Sequence, residues 1–339
     1  MRPDITAFIN ALRRHPAPYV PLAELGVHPS IKERFIGRPI ITLLDEIEFW
    51  HSAGYDYVKL QPAADFDPGK RQGDARVRTT PDGTLRKWAS EGKGVITSRQ
   101  EFDAYPFPLA TDFSYSRFEE VRSLLPDGMG VIGQYGDIFT MTWEMMGFET
   151  FSLALFEQPD LVGNLNQTVG NLVVSMFEYF AESRAVDVLW YSDDIAYGSG
   201  LMVSPAVLHK YFFPWLRRIG NLAKSHGKPL IYHTDGDVRS VLNEIIDCGV
   251  DALHPIEPKA MSLAEVKKNW GDRLSLIGHV DVDLLSRGTP AQVRETVRRN
   301  LDITGRTGYI IGSGNSIPEY VKFENYLAML QAAREFGGS

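Results

Sequence analysis

The chain of 339 residues carries a single cysteine, Cys248. One thiol builds neither a disulfide framework nor a thiolate-rich metal centre, and it suits a reducing cytoplasm. Its setting, LNEIIDCGV, reads as a helix end with the cysteine as a small buried apolar residue. No run of about 18 uncharged apolar residues is present, so no membrane span is expected. The N-terminal MRPDITAFINALRRHP has no apolar stretch ahead of a small-residue cleavage site. It predicts a short amphipathic helix that stops at Pro16, and no secretory signal. Basic tracts are missing too. Lys and Arg number 35 against 43 Asp and Glu, for a net charge of −8. Without clustered cations an acidic chain neutralises phosphates poorly, which argues against nucleic acid as a partner. GxSxG, Walker A, the Rossmann glycine fingerprint and HExxH are all lacking.

What is present is core material and a rhythm. The chain is 44% hydrophobic and 23% charged, the profile of a globular protein with a large core. Its length is ordinary for one α/β barrel domain, taken here as residues 1–339. No fixed-period repeat is visible, but one grammar recurs: a short β-branched run, a polar residue at its end, then an amphipathic helix. The runs are YVPLAEL from Tyr19, YDYVKLQ from Tyr55, GVIGQYGD from Gly130 and VDVLWYSDD from Val186. KPLIYHTDGD from Lys228, VDALHPIE from Val250, LSLIGHVD from Leu274 and GYIIGSG from Gly308 complete the series of eight. Strands alternating with helices predict a parallel sheet, and eight such units predict a (β/α)8 TIM barrel. SPAVLHKYFFPWLRRIGNLAKSHG predicts one helix, capped by Ser204, with Pro205 in its first turn and a stop near Gly227. PEYVKFENYLAMLQAAREFG predicts the last helix. The longest irregular region, residues 62–98, follows the second strand and would overhang the barrel mouth. Within it TTPDGTLRKW has a Pro-Asp-Gly turn between strand-like flanks. Lys70, Arg71, Arg76 and Arg78 there suit either an anionic group or a solvated hairpin.

Barrel enzymes keep their chemistry at the C-terminal ends of the strands. Here those ends carry Glu24, Gln61, Gln134, Asp137, Asp193, Asp194, His233, Asp235, His254, Glu257, His279, Asp281, Ser313 and Asn315. In IYHTDGDV, side-chain alternation aims His233 and Asp235 the same way. Imidazole and carboxylate at i, i+2 form half of a metal site. The same pair also fits a hydrogen-bonded core histidine with Asp235 as partner. Asp237 is placed to cap the next helix. In WYSDDIAYGSG, neighbouring residues of a strand face opposite sides, so unless the strand has already ended only one of Asp193 and Asp194 enters the funnel, and the other serves a cap or turn. His279 and Asp281 repeat the i, i+2 spacing, with Asp281 or Asp283 also suited to capping. The GSGNS run from Gly312 would suit an anion through its backbone amides.

Over nearly its whole length the chain resembles the uroporphyrinogen decarboxylase superfamily. The resemblance is carried by DDIAYGSGLMVSPAVLHKYFFPWLRRI, IYHTDGDV, GVDALHPIEP, GDRLSLIGHVD and GSGNSIPEYVKFENYLAML. That superfamily contains the decarboxylase of haem synthesis and cobalamin-dependent methyltransferases. The decarboxylases' Arg-rich N-terminal segment has no counterpart in LAELGVHPSIKERFIGRP, and the second strand ends in KLQP. The methyltransferase branch is nearer. Its members hold zinc through a His-any-Cys pair and a later Cys. This chain resembles them with His233 kept, Asp235 at the first Cys position and Ser313 roughly at the second. The resemblance implies zinc on His233 and Asp235, with Glu24, Asp193 or Glu257 completing the shell. Such an oxygen-rich site is harder and more Lewis acidic than a thiolate one. Implied further are methyl transfer between a small substrate and a methylcorrinoid on a separate partner protein, and a homodimer as in the decarboxylases. Asp193, Asp194, His233 and Asp235 would be the reacting or orienting groups. Glu24, Gln61, Gln134, His254, Glu257, His279 and Ser313 would contact substrate. The rival expectation is a metal-independent lyase or decarboxylase, in which Arg71, Arg76 and Arg78 meet a substrate carboxylate. A non-catalytic ligand-binding barrel comes third, because so many ionisable residues reach the mouth.

Overall fold

The computed structural model describes residues 2–64, 77–79, 85–87 and 94–338. Seven of the eight anticipated runs are strands: β1 (Tyr57–Leu60), β2 (Gly130–Gly136), β3 (Val188–Ser192), β4 (Leu230–His233), β5 (Ala252–His254), β6 (Ser275–Val280) and β7 (Tyr309–Ser313). They form one sheet in which each strand pairs in parallel with its successor. Sequential order with helical crossovers is what α/β connection rules produce. The strands bury both faces, so β2 and β3 read as near-continuous apolar runs.

The first run, from Tyr19, departs from expectation. It is no ladder strand but lies beside β7 through a parallel bridge at Leu22 and Ile311. Ala23 N–H donates to Ile311 O at 2.8 Å and Ile311 N–H to Pro21 O at 2.9 Å. Pro18 and Pro21 have no N–H to give, which keeps the pairing short. Toward β1, Tyr57 Oη accepts from the Glu24 amide at 3.1 Å. At Gly312 an added Cβ would sit 2.2 Å from Ala23 O. Gly312→Ala should therefore push the N-terminal segment off β7. The expected loss is about 2 kcal/mol in urea denaturation, against a gain of up to about 1 kcal/mol for Gly163→Ala, where the helix Pro159–Glu182 leaves open space.

The single helix expected from Ser204 is two, Pro205–Tyr211 and Phe213–Ser225, interrupted at Phe212. Pro214 explains the break, since its ring excludes a continuous i to i−4 ladder. Ser204 stands at the N-cap position but its hydroxyl makes no capping bond. Asp237 accepts from the Arg239 amide at 3.1 Å, ahead of a short 3-10 turn and the helix Leu242–Asp247. The last helix runs Phe323–Gly337, starting later than the sequence suggests. Cys248 is buried. Residues 77–79 and 85–87 pair antiparallel, as the hairpin pattern predicts. Lys70, Arg71 and Arg76, and the Pro-Asp-Gly turn, lie outside the described residues. Among the described residues no helix is long and apolar enough to cross a membrane.

Candidate functional site

The register sets the site. Gly136, Ser192, His233 and His254 are successive partners across the C-terminal ends of β2 to β5. Just past those ends the chain places Asp194 and Asp235. Asp194, His233 and Asp235 each offer a ligand atom within 4.8 Å of the others. His233 Nε2 stands 3.9 Å from Asp194 Oδ1 and 4.0 Å from Asp235 Oδ1. Asp235 N–H donates to Asp194 Oδ1 at 2.8 Å, tying the two acids together. Asn315 Nδ2 donates to Asp235 Oδ2 at 2.7 Å, while Asp235 Oδ1 is buried without a hydrogen-bond partner. Desolvation, then the negative charges of Asp194 and Glu257, push the Asp235 carboxyl up to about 8. Glu257 itself accepts from the Gly236 amide at 2.8 Å.

Asp193, the other member of the acid pair, is committed elsewhere. Its carboxylate accepts from the Phe139 and Thr140 amides at 2.7 and 2.9 Å, and from Tyr191 Oη at 2.6 Å. Those amides are unsatisfied donors in the first turn of helix Ile138–Met146. Burial pushes Asp193 up to about 7, with the charge of Asp137 adding to it. Asp193 is thus an anchor between β3 and that helix, and it does not join the metal-type cluster.

Three further groups sit around this centre. Below it, His233 Nδ1 and His254 Nδ1 are 2.8 Å apart. His254 is fully buried, and desolvation followed by the neighbouring His233 and Lys59 holds its imidazole well below the usual range, hence neutral. Beside it, Gln61 Nε2 donates to Gln134 Oε1 at 2.7 Å and Gln134 Nε2 to Ser192 Oγ at 3.1 Å. This is a neutral chain that adds no charge to the mouth. Farther round, Glu24 faces Ser313, with Ser313 N at 2.8 Å and Ser313 Oγ at 2.6 Å from its two oxygens. Ser313 therefore belongs to Glu24 and not to the cluster, and neither Glu24 nor Asp193 completes a shell with His233. Among the described residues the third donor is Asp194. His279 Nδ1 contacts Ile256 O at 2.9 Å, and Asp281 accepts from the Asp283 amide, so this pair serves local structure. A cavity of about 220 Å³ opens next to the cluster, bounded by Glu257, Asp281, Asn315 and Tyr320 among others.

Glu24 yields a pH prediction. Burial pushes its carboxyl up to about 8, opposed by the two Ser313 bonds and Lys59. A folded value above the unfolded one, about 4.3, means its stabilisation is complete in acid and drains away as pH rises to about 8. Glu24→Gln copies the neutral acid: the amide oxygen accepts from Ser313 N–H and the NH2 donates to its hydroxyl. In melting curves of metal-free protein the variant should gain on wild type between pH 5 and 8. The slope is at most about 1.4 kcal/mol per pH unit, levelling above 8. A difference independent of pH contradicts the protonated Glu24.

A parallel α/β sheet with acids and imidazole gathered at its strand tips defines an enzyme-type scaffold. The profile of the uroporphyrinogen decarboxylase (URO-D) family matches residues 95–336, so the chain belongs to that family. Its relatives are enzymes of two kinds. One is the methylcobamide:CoM methyltransferase MtaA of Methanosarcina barkeri, 22% identical over 221 residues. That match covers 64% of this chain and 61% of the relative, so it falls short of two thirds of its length. Another is the uroporphyrinogen decarboxylase of Methylobacillus flagellatus, 24% identical over 349 residues, covering 96% of this chain and 95% of the relative. Among solved structures, a methyltransferase from Methanosarcina mazei superposes with TM-score 0.72 at 17% identity, covering 98% of both chains, which establishes the shared fold. A B12-independent methionine synthase from Shewanella superposes with TM-score 0.53 at 10% identity, covering 94% of this chain and 97% of that one.

The His–His contact, the place of Asp194 as third donor beside His233 and Asp235, and the Asn315 bond to Asp235 were not assigned from sequence, which named Asp194 only as a reacting or orienting group. His254 was in view as a substrate contact at a strand end, and Asn315 only as a polar residue there. Pairing register, which the sequence does not print, is what joins them to His233 and Asp235.

Proposed function

We propose that the protein is a corrinoid-linked methyltransferase of the URO-D family, built as an eight-unit barrel. It would move a methyl group between a small oxygen-bearing substrate and the cobalt of a methylcorrinoid held by a separate protein. The observation that carries this reading is the Asp194–His233–Asp235 cluster, with a buried carboxylate oxygen of Asp235 that lacks a hydrogen-bond partner. Burying such an oxygen unpaired is costly, and a cation removes the cost. The donor set suits zinc. Ligands at about 2.0–2.2 Å in a tetrahedron lie about 3.4 Å apart, so the separations of 3.9 and 4.0 Å close with about half an ångström of movement. Asp194, at 44% side-chain exposure, has the room for it.

His233, Asp235 and Asp194 would hold the ion, which supplies Lewis acidity toward a substrate oxygen. The protein's own groups do the rest. Asn315 fixes the Asp235 carboxylate by its 2.7 Å bond, and the Asp235 amide fixes Asp194. Gln61 and Gln134 offer neutral hydrogen bonds to substrate. Glu257 borders the adjoining cavity and is placed to accept a proton or hold a donor group there. A cytoplasmic setting and a homodimer accompany this reading.

The test is zinc content by elemental analysis together with turnover of methylcobalamin, followed by its visible spectrum with small thiol and phenolic substrates. About one zinc per chain and spectral conversion of the corrinoid are expected. Absence of zinc after metal loading, with no conversion of any methylcorrinoid, removes the proposal.

A second reading keeps one specific observation. Glu24 is fully buried, raised to about 8 and hydrogen-bonded to Ser313, so it stands as a proton donor at neutral pH of the kind a decarboxylase uses. Release of CO2 from carboxylated substrates by metal-free protein would favour it.

A further inference from the structure

We infer that Gly236 is a positioning residue: the side chain it lacks lets the loop after β3 close on the turn after β4, and that closure sets the spacing of Asp194 and Asp235. The inference deepens the proposed function and rests on those two acids holding the metal together with His233.

Past β3 the chain runs through Asp193, Asp194 and Ile195 into a small hairpin, whose arms Ala196–Tyr197 and Gly200–Leu201 pair antiparallel. Past β4 it runs through Thr234 and Asp235 to Gly236 and Asp237. Three bonds zip these two loops together. Asp235 N–H donates to Asp194 Oδ1 at 2.8 Å, and Ile195 N–H to Thr234 Oγ1 at 3.2 Å. Asp237 N–H donates to Tyr197 O at 2.9 Å. Gly236 lies inside this seam, and its own amide reaches a third loop, donating to Glu257 Oε2 at 2.8 Å.

The seam leaves no space for a side chain. Gly236 has φ +85°, in the left-handed region that glycine occupies without strain. A Cβ there would stand 2.6 Å from the carbonyl carbon and oxygen of Ala196, and 2.6 Å from Tyr197 O. All three are backbone atoms, so no side-chain rotation relieves the clash and the hairpin itself must move. Asp193 cannot follow it, because the Phe139 and Thr140 amides and Tyr191 clamp its carboxylate. The loop therefore yields just beyond Asp193, at Asp194. Asp194 would then draw away from the Asp235 amide, and a donor set that must close by about half an ångström for zinc would open instead.

The test measures zinc affinity of full-length protein by competition with a chromogenic chelator, alongside amide hydrogen exchange of metal-free protein by NMR. Gly236→Ala should weaken zinc binding by about 10- to 100-fold, with the circular dichroism of wild type. Gly198→Ala, in open space on the same hairpin, should stay within about 2-fold. Gly220→Ala sets a Cβ 1.8 Å from Cys248 O on the helix Phe213–Ser225. It should melt lower yet also bind zinc within about 2-fold of wild type, which separates positioning from general destabilisation. In metal-free Gly236→Ala the Asp235 and Asp237 amides should exchange at least about 10-fold faster than in wild type. Unaltered zinc affinity in Gly236→Ala, or an equal loss in Gly220→Ala, overturns the inference. Should wild type bind no zinc, the proposed function fails separately, and the two amides decide this inference alone: faster exchange supports it and unchanged exchange refutes it. If Gly236→Ala does not fold, Thr234→Val, which removes the acceptor of the Ile195 amide from the same seam, takes its place in both measurements.

Discussion

His233→Ala is expected to cut methyl transfer by at least about 10³-fold and to drop bound zinc from about one to roughly a tenth per chain. Among the described residues the imidazole is the only nitrogen donor of the cluster, and it sits between two carboxylates that repel each other without a cation. Removing it leaves an all-oxygen pair that holds zinc poorly. The loss of Lewis acidity alone is worth several kcal/mol of barrier, and about 4 kcal/mol corresponds to the factor of 10³. Stability should also fall, by about 1–3 kcal/mol, because the buried imidazole leaves a cavity and orphans a ring nitrogen of His254. Side-by-side zinc analysis, turnover and melting of His233→Ala measure all three. A variant that keeps both zinc and activity would detach the cluster from the chemistry.

Asp193→Ala should do the reverse. Its carboxylate satisfies two helix amides and a tyrosine hydroxyl, all buried. Each orphaned donor costs about 1–3 kcal/mol, and together the loss is put at about 3–5 kcal/mol in urea denaturation. Asp193→Asn, which keeps one acceptor oxygen, should lose about half as much. Zinc stoichiometry in the folded fraction of Asp193→Asn should match wild type. Loss of zinc at unchanged stability would return Asp193 to the site and displace Asp194.

The contrast between these neighbours shows where sequence reasoning runs out. Alternation says that two adjacent acids cannot share a face, but not which one turns inward. The choice is made by helix Ile138–Met146, whose first-turn amides need an acceptor and lie against the end of β3. The strand runs were legible because both-face burial leaves near-continuous apolar segments. The exception, the run from Tyr19, contains prolines that limit backbone pairing, and its contact with β7 spans most of the chain. His233 and Asp235 could be paired from i, i+2 spacing alone. The His233–His254 and Glu24–Ser313 contacts could not, because each depends on which strands lie side by side and in what register. The break at Phe212 was legible in principle from Pro214, which stands in the middle of the expected helix.

The proposed chemistry turns on a cation held between one imidazole and two carboxylates. Diffraction from crystals equilibrated with zinc, with data collected on both sides of its absorption edge, tests that most directly. One anomalous peak within about 2.0–2.2 Å of His233 Nε2 and of carboxylate oxygens of Asp194 and Asp235 is predicted. An empty cluster, or a peak on other ligands, contradicts it.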